Sequence, residues 1–159
     1  MADEFAGFDT TGIDIEDDAE EIVFDTISPK FDPDTARISI NAVGKVEIGN
    51  EKDAYRFWVM KCLLTERYKY LGYSTDFGVE IEDIVRSDYP RDITESEIQR
   101  TITEALSVDP RTLSVDNFKF DWEGDVVRLT FEIESVFDTE IYELTKGGET
   151  VGEVAISAA

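Results

Sequence analysis

The sequence predicts an α+β fold: two main helices packed on a small antiparallel β meander, preceded by an extended acidic N-terminal arm. Three observations predict it. Apolar residues recur at helical spacing after Asn50 and again after Thr94. Apolar and polar residues then alternate along short runs between Phe118 and Ile156, which is the pattern of half-buried strands. Acidic residues, finally, are concentrated at the N-terminus.

The acidic arm is predicted to span residues 1–36, and the α+β domain residues 37–159. Residues 1–37 carry twelve acids against two bases, a net charge of −10. Such a segment is typical of a solvated tail. It is equally consistent with an arm that docks on a basic neighbour, because the apolar run Ile22–Phe24 interrupts the acids. Both interpretations stay open.

The domain begins with a predicted hairpin and a helix. Two short alternating runs, Arg37–Ile40 and Lys45–Ile48, predict the hairpin. The helix is predicted to begin at Glu51, because Asn50 is a favourable capping residue, and to end near Thr65. Its predicted apolar stripe, at spacing i, i+3, i+4 and i+8, consists of Ala54, Phe57, Trp58 and Cys62.

An aromatic loop separates this helix from the next two. A short helix is predicted over Glu82–Arg86. The second main helix is predicted to begin at Thr94, because Thr94–Glu97 has the pattern of a capping box, and to end before Asp109. Its predicted core face consists of Ile98, Ile102, Ala105 and Leu106.

The remaining residues predict four strands in a meander. Short connections separate the alternating runs Phe118–Trp122, Val127–Ile133, Glu140–Thr145 and Val151–Ile156, and the first and last of these connections contain glycine. The terminal strand is rich in small residues. It is either the last member of its own sheet or a strand donated to another chain.

Composition excludes several classes of function. The chain has no histidine, which removes the commonest general base and metal ligand, and its single cysteine, Cys62, forms no disulfide within the chain. A net charge of −22 repels nucleic acid and anionic membrane surfaces. No run of 18 apolar residues predicts a membrane helix, and the N-terminus lacks the pattern of a secretory signal. We therefore expect no catalytic residue, no cofactor and no metal.

Two other functions remain as alternatives. A peptidoglycan hydrolase would need two carboxylates at a fixed separation, and Glu80 and Glu82 beside the aromatic loop are the pair to consider. A generic acidic binding module would need acids spread over one rigid face, whereas here they are concentrated in the arm.

Two arginines stand out in so acidic a chain. Arg67 lies among aromatic residues, and Arg111 follows Pro110 at a helix end. A guanidinium makes bidentate contacts to carboxylates and stacks on tyrosine. Each arginine is therefore either an internal brace or a contact to a neighbouring subunit, and the sequence leaves both open.

Taken together, these segments resemble a known family. The run Thr65–Tyr70 followed by Tyr73-Ser74 and Phe77-Gly78 is similar to the baseplate proteins of PBSX-type prophages. The triplet Asp109-Pro110-Arg111, between a helix and a hairpin, resembles the Glu-Pro-Arg triplet of the wider baseplate-wedge or sheath-initiator family of contractile tails. The resemblance covers residues 45 to 145. Asp109 departs from the family's glutamate by one methylene.

The resemblance implies a structural subunit with no enzymatic activity that connects the baseplate wedge to the first sheath ring. Six copies would form a ring around the tube, in the virion tail baseplate of a phage or in a tailocin, assembled in the host cytoplasm. The implied partners are wedge proteins, the tail sheath protein and the tube protein. The candidates for wedge contact are Asp109, Pro110, Arg111, Arg67 and Tyr68. The candidates for strand pairing with the sheath are Ile141, Tyr142, Leu144, Val151, Val154 and Ile156.

Overall fold

The computed structural model describes residues 28–32, 37–147 and 150–158, with the backbone alone at 150–153, 157 and 158. The predicted α+β class is confirmed. Most of the predicted acidic arm, residues 1–27 and 33–36, lies outside the described residues. The elements, in chain order, are β1 (Ser28–Pro29), β2 (Phe31–Asp32), β3 (Arg37–Ile38), β4 (Ile48–Gly49), α1 (Glu51–Leu64), α2 (Ile81–Arg86), α3 (Arg91–Leu106), β5 (Thr112–Glu123), β6 (Val126–Ser135), β7 (Thr139–Gly147) and β8 (Thr150–Ala158).

Four two-residue strands precede the first helix among the described residues. β1 pairs with β4 and β2 with β3, all antiparallel. The predicted hairpin forms between these pairs, where Ile40 bridges Val46. Its turn is fixed by the Asn41 side chain, whose oxygen accepts from the amides of Val43 and Lys45 at 3.0 and 2.9 Å. The chain therefore folds back on itself before it enters α1.

Helix α1 begins where the sequence predicts. The Asn50 side chain accepts from the amide of Asp53 at 2.8 Å, and the Asp53 carboxylate accepts from the amide of Asn50 at 3.2 Å. This reciprocal cap satisfies two amides that the first turn leaves without partners. The buried residues of α1 are Ala54, Tyr55, Val59, Met60, Cys62 and Leu63. Phe57 and Trp58, which were predicted to belong to the core stripe, are only half-buried.

Helix α3 begins three residues before the predicted start. Pro90 precedes its first residue, Arg91, and Thr94 lies buried inside the first turn. The Thr94 hydroxyl donates to the carbonyl of Pro90 at 3.2 Å and so does not cap the helix. The capping-box prediction is wrong because a proline immediately before the first turn starts the helix first. The predicted core face, Ile98, Ile102, Ala105 and Leu106, is confirmed as buried.

The four long strands form one antiparallel sheet in the order β5-β6-β7-β8. Strand β5 begins at Thr112, six residues before the predicted start. The sequence pattern missed this early part because a bulge between Asp116 and Lys119 inserts one extra residue and interrupts the alternation. Asn117 adopts a φ of 57° in this bulge. The extra residue keeps Val115 and Phe118 on the same face, although they are three positions apart.

The helices cover one face of this sheet, and the core lies between the two layers. The sheet's inward residues are buried or half-buried, and the largest fully buried side chains from it are Phe131, Tyr142, Leu129, Ile133 and Leu144. Phe131 stacks on Phe118 and on Tyr142, with centroids 5.2 and 6.1 Å apart. The outward face is polar, which is typical of an antiparallel sheet with one solvated side.

Candidate functional site

The triplet singled out in the sequence forms a tight corner between α3 and β5, here called the corner and comprising residues 107–112. The amide of Asp109 donates to the carbonyl of Leu106 at 3.3 Å, and that of Thr112 to the carbonyl of Asp109 at 3.0 Å. Pro110 cannot continue a helix, so the chain turns directly into the sheet. The corner joins the second main helix to the first strand of the sheet.

The Asp109 and Arg111 side chains bind each other inside this corner. The Arg111 Nε and Nη2 atoms donate to the two carboxylate oxygens of Asp109 at 2.9 and 2.5 Å. The Arg111 amide also donates to Asp109 at 2.9 Å, and the guanidinium lies 5.3 Å from the centre of the Tyr55 ring. The side chains are only 9% and 8% exposed. The hydrogen bonds to Asp109 raise the pKa of Arg111, so the guanidinium stays charged.

Exposed apolar residues lie in and beside the corner, next to the exposed Ser107. Val108, Leu113 and Val136 are 56%, 59% and 51% exposed, and Pro110 is exposed beside them. Val136 is tied to the corner because its amide donates to the Arg111 carbonyl at 2.9 Å. Of the predicted contact residues here, Pro110 reaches solvent, whereas Asp109 and Arg111 hold the corner from within.

The other two predicted contact residues lie in the aromatic loop, here called the tip and comprising residues 65–79. Its two ends are joined by a bridge between Glu66 and Val79. The Arg67 amide donates to the Val79 carbonyl, and its Nε to the Gly78 carbonyl, both at 3.0 Å. Arg67 Nη1 also lies 3.6 Å from Glu80. Arg67 is therefore a brace that closes the base of the tip.

The far part of the tip presents large side chains to solvent. Tyr68, Tyr70 and Tyr73 are 65%, 54% and 40% exposed, and Leu71 is fully exposed. Tyr68 adopts a φ of 64°, an uncommon conformation for a bulky residue. A loop with a closed base and exposed tyrosines is similar to the recognition loops of binding proteins, because tyrosine provides contact area at low entropic cost.

Gly78 is required for the closed base of the tip. Its φ is 99°, and a Cβ atom there would lie 2.7 Å from the Thr65 carbonyl oxygen. We expect Gly78→Ala to lower the free energy of unfolding by about 1–3 kcal/mol, measured by urea denaturation. Gly72→Ala is the matched control, since a Cβ there meets nothing within 4 Å. Equal stability of the two variants would show that the tip has no closed base.

A buried charge cluster under the tip was not predicted from the sequence. Lys146 of β7, 3% exposed, lies 3.9 Å from Glu66 of the tip and 3.7 Å from Glu82 of α2. The pKa of Glu66 is raised to about 7. Burial is the main cause, the charge of Lys146 lowers the pKa, and the charges of Glu82 and Asp83 raise it. Neither carboxylate oxygen of Glu66 accepts a hydrogen bond from the described residues. The cluster ties the tip, α2 and β7 together.

A second cluster ties α1 to the start of β7. The buried Glu140 carboxylate accepts from Arg56 Nε at 2.9 and 3.0 Å and from the Tyr142 hydroxyl at 3.3 Å. Lys52 lies 3.4 Å from the same carboxylate and also binds Asp138. Burial raises the pKa of Tyr142, so its hydroxyl remains a donor. Sequence alternation places Glu140 on the inward face, but only the fold shows which cations accompany it.

The predicted strand-pairing residues come together on β7 and β8. Tyr142 faces Ile156, Leu144 faces Val154, and Ile141 faces Ser157 across the ladder. Tyr142, Leu144 and Val154 are buried, whereas Ile141 and Ile156 are half-buried. The side chain of Val151 lies outside the described residues. Among the residues that the structure describes, β8 is therefore the last member of its own sheet.

The two carboxylates considered as a hydrolase pair each lie beside a cation. Glu80 lies beside Arg67, and Glu82 lies beside Lys146 and 3.8 Å from Arg86. In the part of the chain that the structure describes, no group of three or more acidic or cysteine side chains is placed to hold a metal ion. No helix among those residues is long and apolar enough to cross a membrane.

A braced corner, a braced tip and an open sheet edge are features of a protein built to assemble with others. A family model described as contractile injection system sheath initiator matches residues 27–139, and this chain belongs to that family. It is therefore a structural component of a contractile tail, associated with other tail or baseplate components. Among curated proteins, it is similar to the phage-like element PBSX protein XkdS of Bacillus subtilis (strain 168). The two are 32% identical over 116 residues, which cover 72% of this chain and 78% of that protein. The resemblance inferred from the sequence is confirmed.

Proposed function

We propose that this chain connects the baseplate wedge to the first sheath ring and seeds sheath assembly by strand pairing. Six copies form a ring around the tail tube of a phage or tailocin, and the chain performs no catalysis. The corner and the tip contact the wedge, and the β7–β8 hairpin receives strands of the sheath subunit. The observation that carries the proposal is the position of β8 at the edge of its sheet.

The two edges of the sheet differ, and β8 is the one suited to strand addition. Strand β5 is interrupted by its bulge at Asn117 and carries outward charges at Asp116, Lys119 and Asp121. Bulges and charges are the usual protection of an edge against pairing. Strand β8, over residues 150–158, contains one charged residue and many small ones. An added strand would gain backbone hydrogen bonds in a fixed register, which suits a template for the next ring.

On the wedge side, the structure changes which residues we expect to make contact. Asp109 and Arg111 are buried, so their part is to position the apolar residues around them. The contact surface at the corner then consists of Val108, Pro110, Leu113 and Val136. At the tip, Arg67 braces and Tyr68 makes contact. Because the buried ion pair holds the exposed apolar residues in place, these residues lose little conformational entropy on binding.

The experiment places proline on the outer edge of β8. Successive residues of an antiparallel edge strand direct their amides alternately toward the neighbouring strand and away from it. One of Ala155→Pro and Ile156→Pro therefore removes an outward amide only, and it is expected to fold and yet fail to seed sheath. Folding is measured by thermal melting, and seeding by electron microscopy of particles from cells that express the tail genes.

The other proline variant is the control for folding, since it removes a bond of the β7–β8 ladder and is expected to melt at a lower temperature. Normal extended sheaths from the well-folded variant would overturn strand pairing at β8. For the alternative function, purified protein is tested on peptidoglycan. Turnover that Glu80→Gln abolishes would replace the structural proposal with a hydrolase.

A further inference from the structure

Two exposed lysines lie over aromatic rings of the tip, one at the end of α1 and one in the tip itself. Lys61, at the end of α1, lies 4.8 Å from the centre of the Tyr73 ring, and Lys69 lies 6.0 Å from that of Tyr70. Both are exposed. Among the described residues, no carboxylate lies within 4.0 Å of either ammonium group, although the chain has 37 acids and 15 bases. In this strongly acidic protein, the two cations beside the tip therefore have aromatic neighbours but no carboxylate partner among the described residues.

The tyrosine rings beside these lysines also line an open pocket of about 590 Å³. Its lining combines apolar and polar groups and consists of Leu64, Thr65, Tyr70, Gly72 and Tyr73. The walls combine aromatic rings with an exposed leucine side chain, and the closed base of the tip fixes their positions. Such a pocket accepts a large apolar side chain, and the cations beside it select for neighbouring carboxylates. The fitting ligand is an extended segment in which acids and large apolar residues are interspersed.

This chain contains a segment of that chemistry. Residues 1–27 carry ten acids and no base. Phe5, Phe8 and the run Ile22–Phe24 interrupt the acids. Most of the protein's surface repels such a segment, because residues 28–159 carry −12 of the chain's net charge of −22. Lys61 and Lys69 attract it.

The connection is long enough for the segment to reach the tip of its own chain. Residue 28 begins β1, which pairs with β4 directly before the first turn of α1. The tip follows the last turn of α1, which is 14 residues long and so about 21 Å away. The 27 residues before Ser28 span up to roughly 90 Å when extended. An intramolecular partner also has a high effective concentration, so weak contacts suffice.

We propose that residues 1–27 dock on the tip of the same chain, with their carboxylates at Lys61 and Lys69 and an apolar side chain in the adjacent pocket. The docked segment covers Tyr70 and Tyr73, which line that pocket. This inference does not depend on the proposed role in sheath assembly, since it concerns the isolated chain.

A carbodiimide tests the proposal on the full-length protein, because this reagent joins an amine directly to a carboxylate that touches it. Cross-linked peptides are expected to join Lys61 or Lys69 to acids of residues 3–25, and mass spectrometry identifies them. A mixture of ¹⁴N- and ¹⁵N-labelled protein separates links within one chain from links between two. Links between chains, or links from the segment to Lys45 or Lys119 instead, would overturn the proposal.

A charge-reversal pair gives a second measurement. The double variant Lys61→Glu, Lys69→Glu is expected to speed cleavage of residues 1–27 by an acid-specific endoproteinase at least fivefold. The matched control is Lys45→Glu, Lys119→Glu, which changes the net charge equally at two other exposed lysines and is expected to leave the rate as in the unaltered protein. Thermal melting checks that both variants fold. Equal rates in all three proteins would contradict docking at the tip.

Discussion

Replacing Arg111 with alanine is expected to lower the free energy of unfolding by about 3–5 kcal/mol, because it leaves the Asp109 carboxylate buried without its cation. That carboxylate is 9% exposed and receives three hydrogen bonds from Arg111. Two of them come from the side chain and disappear with it. Urea denaturation of the two proteins measures the difference.

The double variant Asp109→Asn, Arg111→Met separates the brace from the packing around it. It removes both charges together, so it is expected to cost clearly less than Arg111→Ala alone. Arg111→Lys keeps the charge but loses the forked geometry, and an intermediate cost is expected. If Arg111→Ala costs less than about 1 kcal/mol, the carboxylate is solvated and the corner has no buried brace.

The same variant tests the proposed function, provided that it is folded. Domains of this size have unfolding free energies of about 5–15 kcal/mol, so Arg111→Ala is expected to remain folded at low temperature. It is nevertheless expected to block baseplate or sheath assembly, since the apolar residues around the corner lose their support. Normal extended and contracted sheaths from folded Arg111→Ala protein would count against wedge contact at the corner.

The sequence predicted elements well where one strong local pattern governed them. The cap at Asn50 and the core face from Ile98 to Leu106 follow from side chains within a few positions of one another. The start of α3 was misplaced because two local patterns competed, and Pro90 prevailed over Thr94. The early part of β5 was missed because the bulge at Asn117 shifts the alternation by one residue. An asparagine within an apolar alternation was the available indication of that bulge.

The candidate site was predicted only as far as residue type allows. Arginine beside an aspartate or within an aromatic loop was recognised, but whether it braces or makes contact depends on burial, which the sequence does not contain. The Glu66–Lys146 pair brings together residues 80 positions apart. No local pattern indicates it, because the two residues belong to different elements that only the tertiary fold brings together.

Replacing Glu66 with glutamine is expected to stabilise the protein above neutral pH and to change little in acid. The pKa of Glu66 is about 7 in the folded protein, against 4.5 for an unperturbed glutamate. Between these pH values the folded protein binds a proton that the unfolded chain has released, so stability falls as pH rises from 4.5 to 7. The contribution of protonated Glu66 to the stability is fully present below pH 4.5 and is lost above pH 7.

Glutamine imitates the protonated carboxyl group, so Glu66→Gln avoids this loss. A shift of that size corresponds to roughly 3 kcal/mol at pH 8, and to no difference at pH 4. Urea denaturation of both proteins across this range measures the effect, and taking the difference removes the contribution of the other acids. Glu134→Gln, at an exposed position of β6, is the matched control and is expected to track the unaltered protein.

Lys146→Met completes the test, because it removes the only cation within 4.0 Å of Glu66 among the described residues. It is expected to raise the pKa of Glu66 further and so to extend the loss of stability to higher pH, and Glu66→Gln in the same chain is expected to abolish that loss. The sign of the Glu66→Gln effect on stability at pH 8 distinguishes two cases. The substitution stabilises the protein if the buried carboxylate is unfavourable, and destabilises it if Glu66 and Lys146 form a stabilising ion pair. The cluster joins the tip, α2 and β7. The destabilisation by ionised Glu66 therefore acts where the proposed wedge side and sheath side of the protein meet.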